Sequence, residues 1–322
     1  IPVEIPVGEG EDFRGIINLF SERAHLYRKG TVTGEYDEAD IPDELQGRVK
    51  EWETELQETL ATADETLLAK YLEQGHIGRE EAIDAMARLM LRGEVYPLFC
   101  GSSKLTYGMR ALLQEIVELC PSPAAKAELA TRPELDQEVK LTADDDGPLA
   151  ALVFKTTTEP HVGELSFFKV VSGRVENGME VVNASDLKAE KLGHLSIPLG
   201  KDRHEVPRLH AGDIGVVAKL KHTHTNDTLC AKERPLQLSR IAFPKPDTAI
   251  AIRGVSRNDE DKLGEVLPRL HEEDPTFSAE FNAELHQTIA RGVGELHLDI
   301  QMERMKRKYN VQVETEQPKI AY

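Results

Sequence analysis

The chain has 322 residues, of which 40% are hydrophobic and 30% charged, a composition typical of a soluble globular protein with more than one domain. No apolar run approaches the roughly 20 residues of a membrane-spanning helix, which argues against an integral membrane protein of the helical kind. The net charge of −18 is concentrated in residues 1–120, where 24 acidic residues face 12 basic ones, so non-specific nucleic-acid binding by this part is disfavoured.

The three cysteines are widely spaced and form no C-x-x-C motif. An odd number of isolated cysteines argues against a disulfide framework and against a zinc knuckle. The sequence therefore indicates a reducing compartment, and we expect a cytoplasmic protein.

The first third of the chain predicts helices followed by the end of an α/β domain. Apolar residues recur at three- and four-residue spacing throughout 43–92. A short apolar strand is then predicted in "EVYPLFC" (94–100), followed by a Gly/Ser turn and a helix that Pro121 ends. No series of parallel strands precedes these elements, so we expect the beginning of this domain to lie outside the sequence.

The middle of the chain predicts a small β-barrel. Residues 124–147 are polar and are interpreted as a linker, and closely spaced strand patterns then fill 148–243. The turn "ENG" (176–178) lies between two strand patterns and predicts a hairpin.

The last part of the chain, 244–316, alternates as β-α-β-β-α-β, the order of the ferredoxin-like fold. Asn258 is the expected N-cap of the first helix. The remaining residues, 317–322, resemble the start of a strand in a truncated next domain. The sequence therefore predicts a multidomain chain that combines α/β, β-barrel and α+β parts.

The stretch "ARGVGELHLDI" (290–300) is expected to begin the second helix of this last domain. Gly292 and Gly294 end a strand and allow the chain to turn. Six apolar side chains are predicted to pack on the sheet: Leu296, Leu298, Ile300, Met302, Met305 and Tyr309. His297 is expected to be a helix-surface or packing histidine and not a catalytic base. A single G-x-G is weak evidence of a nucleotide site, because it lacks a third glycine and a following ribose-binding acid.

A metal site is not expected. His222 and His224 form an H-x-H pair, but no third ligand is evident in the sequence. The acidic residues Asp144 and Asp146 are interpreted as part of a solvated linker.

Several stretches together resemble elongation factor G, the translational GTPase that drives translocation on the ribosome. "LHEEDPTF" (270–277), "GVGELHLDI" (292–300) and "QPKIAY" (317–322) resemble its third domain. The other matching stretches follow in the family's order: "VEIPVGEGEDFRGIINLF" (3–20), "DETLLAKYLEQG" (64–75), "LFCGSS" (98–103), "SFFKVVSGRVENG" (166–178), "AGDIGVVAKL" (211–220) and "NDTLC" (226–230). The resemblance covers essentially the whole chain.

The resemblance implies a fold for each part. Residues 1–123 would hold the mainly helical subdomain that the family inserts into its GTPase domain, together with the C-terminal end of that GTPase domain. The barrel would be the translation-factor barrel, and the ferredoxin-like part would be the third domain. The chain would thus be an internal fragment of a longer protein.

The resemblance also implies the activity of the full-length parent, a ribosome-dependent GTPase that binds GTP or GDP with Mg²⁺. The phosphate loop, the switch regions and the N-K-x-D motif do not occur in this sequence. Without them no backbone nest and no lysine surround the phosphates, so the chain alone is expected to need no cofactor and to hydrolyse no GTP. It would hold no catalytic residue and no metal ligand, and its remnant of the guanine site would be Ser102, Ser103 and Lys104.

The partner implied by the resemblance is the ribosome, with the protein acting as a monomer. Seven basic residues are candidates for contacts with ribosomal RNA: Lys201, Arg203, Arg208, Arg304, Lys306, Arg307 and Lys308. For the last four, a solvated helix end that complements the helix dipole is the alternative. The family also suggests that the large-subunit stalk contacts the inserted subdomain.

Four departures from the family pattern favour a divergent elongation factor G-like paralogue. They are the loop 195–206, Asn226 in place of a glycine, the turn 283–288, and Val293 in place of a methionine. A ribosomal protection protein and a non-catalytic ribosome-binding factor are the alternatives to a translocase.

Overall fold

The computed structural model describes residues 1–159, 162–200 and 202–319. Contacts within the chain group these residues into two compact units, Ile1–Lys126 and the part from Ala127 onwards. No helix among the described residues is long and apolar enough to cross a membrane.

The first unit contains an antiparallel sheet that the sequence does not reveal. Its strands follow one another in space as they do in the chain: β1 Glu4–Val7, β2 Gly15–Asn18, β3 Arg23–Tyr27 and β4 Tyr36–Ala39. One face of β1 presents Ile5 and Val7 to the main core of the unit, and Val3, just before the strand, joins them there. The other face presents Glu4, which lies opposite Asn18 of β2.

Helices complete the first unit. They are α1 Gln46–Ala61, α2 Glu65–Gln74, α3 Arg79–Arg92 and α4 Met109–Leu119, and the first three confirm the helices predicted between 43 and 92. The Asp64 side chain caps α2 by accepting a hydrogen bond from the amide of Leu67 (2.8 Å). The strand predicted at 94–100 is wrong, because only Leu98 pairs, in a single parallel bridge with Pro2.

The second unit begins with a hairpin where a linker is predicted. β5 Glu128–Arg132 and β6 Gln137–Leu141 pair along their whole lengths. Only Ala130 and Leu141 of the hairpin are buried, so the polar composition hides the strands. Residues 124–147 therefore contain ordered structure.

The barrel follows the hairpin. Its strands are β7 Ala150–Glu159, β8 Gly163–Ser172, β9 Val175–Glu176, β10 Met179–Asn183, β11 Ala189–Leu192, β12 Ser196–Leu199, β13 Asp202–Glu205, β14 Arg208–Leu209, β15 Ile214–Ala218, β16 Thr228–Cys230 and β17 Gln237–Leu238. Eight of them form one sheet in the order β11-β10-β16-β7-β8-β15-β12-β13, whereas β17 joins the preceding hairpin. The predicted 176–178 hairpin is wrong: Gly178 turns the chain at φ +81°, but β9 pairs with β14 and β10 pairs with β11 and β16.

The last domain confirms the βαββαβ prediction. It comprises β18 Thr248–Gly254, α5 Arg257–Glu273, β19 Ser278–Asn282, β20 Gln287–Gly292, α6 Glu295–Tyr309 and β21 Val313–Glu316. The antiparallel sheet has the order β19-β20-β18-β21. The N-cap of α5 is Ser256 instead of Asn258, because Ser256 and Asp259 form a reciprocal capping box.

The core face of α6 is narrower than predicted. Leu298 and Met305 are fully buried and pack in the core of this domain. The side chains of Leu296 and Ile300 are instead 73% and 47% exposed, so their predicted packing on the sheet is wrong. Residues two apart on a helix lie about 200° apart around its axis, and a stripe through Leu298 therefore excludes both.

Candidate functional sites

The Gly/Ser turn at 101–107 is tightly constrained. The amide of Ser102 donates to the carbonyl of Tyr107 (2.9 Å), which closes the turn, and Ser103 and Lys104 are exposed. Gly108 has φ +81° and a Cβ added there would lie 2.3 Å from the Cys100 carbonyl oxygen, so a larger residue does not fit. The turn thus holds the three predicted guanine-contact residues in one defined loop.

The barrel and the last domain are joined by two consecutive carboxylates at the end of α5. Glu272 accepts a hydrogen bond from the amide of Thr225 (3.0 Å), and its other oxygen lies 2.9 Å from Nδ1 of His224. The two domains therefore meet through hydrogen bonds to barrel backbone and side chain, and these bonds fix the α5 end against the barrel.

Glu273 is the more deeply buried of the two carboxylates, with a side chain that is only 6% exposed. Its Oε1 accepts from the amide of Thr158 in β7 (2.8 Å) and from the hydroxyl of Tyr309 (3.3 Å), and it also pairs with Lys308. One buried carboxylate thus ties β7, α5 and α6 together, and Lys308 supplies the balancing charge.

We name Glu272 and Glu273 the junction carboxylates. Carboxylates are disfavoured at the negative end of a helix dipole. Two carboxylates in the last turn of α5 therefore indicate, from the sequence alone, that hydrogen-bond donors outside the helix stabilise them. The partners themselves cannot be identified from local sequence, because Thr158 lies 115 residues from Glu273.

Asp274, which follows the junction carboxylates, links α5 to α6. Its Oδ2 accepts from Gln301 Nε2 (2.7 Å) and lies 2.9 Å from His297 Nε2, and its Oδ1 accepts from the amide of Thr276 (3.0 Å). Since Nδ1 of His297 accepts from the amide of Val293 (3.1 Å), a neutral His297 carries its proton on Nε2 and donates it to Asp274. His297 therefore has a structural role.

The hydrogen bonds to Asp274 have an electrostatic consequence. Burial acts to raise the pKa of Asp274, but the bonds from Thr276 and His297 outweigh it and hold this pKa below its ordinary value of 3.8. The ionised carboxylate is consequently the form that the folded domain stabilises.

Asp274→Asn is expected to destabilise the last domain at pH 7 by about 1–3 kcal/mol, since it replaces charge-assisted hydrogen bonds with neutral ones. The folded-state pKa is lowered, so the wild-type advantage is complete well above pH 3.8 and is lost as the pH falls through 3.8 and then through the lower folded-state pKa. Urea unfolding at pH 7 and at pH 3 measures the difference in the free energy of unfolding between wild type and variant at each pH. Asp299→Asn, at an exposed position on α6, serves as the control and should change neither.

The predicted basic contacts fall into two classes. Arg203 pairs with Glu159 (3.4 Å), Arg307 pairs with Glu303 of its own helix (3.0 Å), and Lys308 is engaged by Glu273. By contrast, Arg208 and Lys306 are exposed and Arg304 is half-buried. Lys201 lies outside the described residues.

Two neighbouring clefts flank the loop that follows β15. A cleft of about 940 Å³ is lined by β11, by the β12–β13 hairpin and by this loop, and one of about 760 Å³ lies between the barrel and the end of α6. Lys219 and Lys221 border both clefts, and Lys219 has a left-handed backbone (φ +62°). Sequence reasoning missed these two lysines, because a leucine separates them and they form no basic run.

One histidine of the H-x-H pair belongs to the junction between the barrel and the last domain. His224 contacts Glu272, and the described residues contain no group of three or more histidine, cysteine, aspartate or glutamate side chains suited to a metal ion.

Family models match both parts of the second unit. The model of elongation factor G domain 2 matches residues 148–232, and that of elongation factor G domain III matches 243–317. The chain contains domains II and III of an elongation factor G-like protein. A crystal structure of a protein from Thermus thermophilus is similar over 99% of this chain, with 31% sequence identity and a TM-score of 0.77. The chain spans 45% of the length of that protein.

One departure from the elongation factor G pattern has a structural explanation. Asn226 replaces a glycine and adopts φ +82°, a left-handed conformation that asparagine tolerates better than most residues. Its side chain accepts from the amide of Ile241 (2.7 Å) and donates to the carbonyl of Ile241 (2.9 Å). Asn226 therefore fastens the segment that leads from domain II to domain III.

Proposed function

We propose that this chain is part of a ribosome-associated, GTP-binding elongation factor, in which it docks on the ribosome and transmits the state of the nucleotide site. The observation that carries the proposal is the pair of junction carboxylates. They hold domains II and III together through Thr158, Thr225 and the α6 end. A rigid pair of domains can pass a displacement at one of its faces to the other.

The exposed face of α6 supplies the second part of the argument. Leu296 and Ile300 are 73% and 47% exposed and lie about one turn apart on α6, and Val293, which precedes the helix, is 42% exposed. A contiguous apolar face is typical of a surface that packs against another part of a protein. We propose that this face packs against a surface outside this chain. Separately, we propose that Ser102, Ser103 and Lys104 contribute to the guanine site of the parent protein.

The parent is proposed to hydrolyse GTP on the ribosome in the cytoplasm, with Mg²⁺ as the metal. The phosphate loop that would hold this metal has no counterpart in the present sequence, so we expect no hydrolysis by this chain alone. The test is GTP hydrolysis by the full-length parent with and without 70S ribosomes. Stimulation by ribosomes would support a translational GTPase, and its absence with binding intact would contradict the catalytic part of the proposal.

Ribosome contact is proposed to use those of the predicted basic residues that no carboxylate among the described residues engages. Lys306→Ala and Arg208→Ala are expected to weaken ribosome binding several-fold at low salt and to reduce its salt dependence, because each removes one phosphate contact. Arg307→Ala serves as the comparison, since Arg307 already pairs with Glu303. Sedimentation with ribosomes at several salt concentrations measures the effect. Equal binding by all three variants would contradict this interface.

A second candidate function is a non-catalytic or protection-type ribosome-binding factor. It is favoured by the β12–β13 hairpin, whose sequence departs from the family pattern and whose residues Asp202–Glu205 are all exposed. Such a factor would bind ribosomes through the same surfaces without turnover. The hydrolysis assay separates it from the first proposal. A contact of the first unit with the ribosomal stalk stays a separate proposal.

A further inference from the structure

A pair of buried carboxylates lies beneath the turn at 101–107 in the first unit. Glu4 of β1 is 2% exposed and Glu115 of α4 is 7% exposed. Burying two carboxylates side by side is unfavourable when both are ionised, since each loses its hydration and each repels the other. The arrangement thus needs a compensating proton.

Asn18 links Glu115 to the strand that pairs with β1. It lies opposite Glu4 in the β1–β2 pairing, so the two side chains share one face of the sheet. Its amide donates to Glu115 Oε1. Ala111 and Glu115 lie one turn apart on α4, and both are buried.

One oxygen of each carboxylate is left without a partner. Glu4 Oε1 and Glu115 Oε2 are fully buried and accept no hydrogen bond from the described residues. An unpartnered buried oxygen is costly when it carries charge, and a proton on either carboxyl group reduces that cost. No lysine or arginine pairs with Glu4 in the described part of the chain to neutralise it instead.

Glu4 also positions the start of the turn. Its Oε2 accepts from the amide of Cys100 (2.9 Å), and the thiol of Cys100 donates to the carbonyl of Glu4 (3.4 Å). Cys100 directly precedes Gly101 and Ser102. The charge on Glu4 therefore acts on the backbone from which the turn begins.

We propose that Glu4 and Glu115 form a proton-operated switch that holds or loosens the turn at 101–107. With a proton on Glu4, its Oε2 is a neutral acceptor and holds the Cys100 amide weakly. With Glu4 ionised, the bond from the Cys100 amide becomes charge-assisted and stronger. The turn is then more firmly held.

The surroundings of the pair agree with a switch near neutral pH. The titratable and charged groups that face it come from β3, α3, α4 and the segment before the turn: Tyr27, Arg79, Glu118 and Cys100. Burial, with a smaller contribution from Glu115, raises the pKa of Glu4 to about 7, although the Cys100 amide opposes the shift. Burial likewise raises the pKa of Glu115.

The switch can be read directly at the Cys100 amide. The chain has three cysteines, so selective labelling with ¹⁵N-cysteine should give three backbone signals, and Cys100→Ser identifies the relevant one. We expect the Cys100 signal to titrate with a midpoint near 7 between pH 5 and 9. Cys120 and Cys230 should not follow the same curve.

Three variants test the assignment. Glu4→Gln keeps an acceptor for the Cys100 amide and should abolish the titration, and Glu115→Gln should shift its midpoint to lower pH by removing the like charge. Glu11→Gln, at an exposed position in the same unit, should leave the curve almost unchanged. A flat Cys100 signal in the wild type, or a titration that persists in Glu4→Gln, would overturn the switch. The readout uses no nucleotide and no ribosome, so it is independent of the proposed function.

Discussion

Replacing Glu273 by alanine is expected to lower the free energy of unfolding of the second unit by about 3 kcal/mol and to separate the unfolding of domains II and III. The substitution removes the acceptor of the Thr158 amide and leaves Lys308 without its counter-charge. Breaking a buried ion pair by deleting one partner is costly because the other partner stays desolvated. The destabilisation should be greatest at the junction between domains II and III, because Glu273 connects β7, α5 and α6.

Urea unfolding followed by circular dichroism measures the total loss, and hydrogen exchange of β7 peptides locates it. The exchange of β7 should increase, since the Thr158 amide becomes free. Glu265→Ala removes an exposed carboxylate from the same helix and should change the free energy of unfolding by less than about 0.5 kcal/mol. An unchanged unfolding curve for Glu273→Ala would show that the junction carboxylates do not hold the two domains together.

The same residues can be placed in a double-mutant cycle. Lys308→Met removes the other member of the pair, and the double variant Glu273→Ala/Lys308→Met leaves no buried charge uncompensated. We expect the double variant to be less destabilised than the sum of the two single changes. That coupling distinguishes a paired charge from a general loss of packing.

Domain III could be predicted from the sequence because its helices are long and strongly patterned. Leu263, Val266, Leu267 and Leu270 are at helical spacing and are all buried on the sheet. The hairpin at 128–141 could not be predicted in the same way. Its strands are polar, and its sheet is completed by β17, which follows the barrel strands in the chain.

The candidate ribosome-contact residues could be predicted from the sequence only in part. A basic cluster such as 303–308 is visible in the sequence because its members are neighbours. The role of each member depends on its partners, and Glu273, which engages Lys308, lies 35 residues away. Residue type alone therefore does not distinguish the basic side chains that pair with a carboxylate from those that could bind RNA.

The exposed face of α6 shows that a helical pattern of apolar residues does not determine which of them enter the core. Leu296 and Ile300 extend the apolar pattern, and a single domain would bury them if its sheet were wide enough to reach around the helix. The structure leaves them outside the core that Leu298 and Met305 enter. Apolar residues outside the face that packs in the core therefore indicate a second packing surface. Such a surface is what the proposed transmission of the nucleotide state requires.

Glu4→Gln is expected to stabilise the first unit by about 3 kcal/mol above pH 7 and to have almost no effect at pH 4. The pKa of Glu4 rises from 4.5 in the unfolded chain to about 7 in the folded one, a difference of about 2.5 pH units at about 1.36 kcal/mol per unit. Below pH 4.5 both states hold the proton and the wild type loses nothing. Between pH 4.5 and 7 only the unfolded chain releases it, so wild-type stability falls as the pH rises and levels off above 7.

The single tryptophan, Trp52, packs against the core of the first unit, so its fluorescence during urea unfolding reports on that unit. The wild type should lose stability between pH 4.5 and 7, whereas Glu4→Gln should lose much less over this range. Glu11→Gln, an exposed position in the same unit, should follow the wild type. If the curves of wild type and Glu4→Gln ran parallel, the buried carboxyl would be ionised throughout and the protonated pair would be wrong. Divergence of the curves only above pH 4.5 would instead locate the pH dependence at Glu4, because the exposed carboxylates of the unit are common to both proteins.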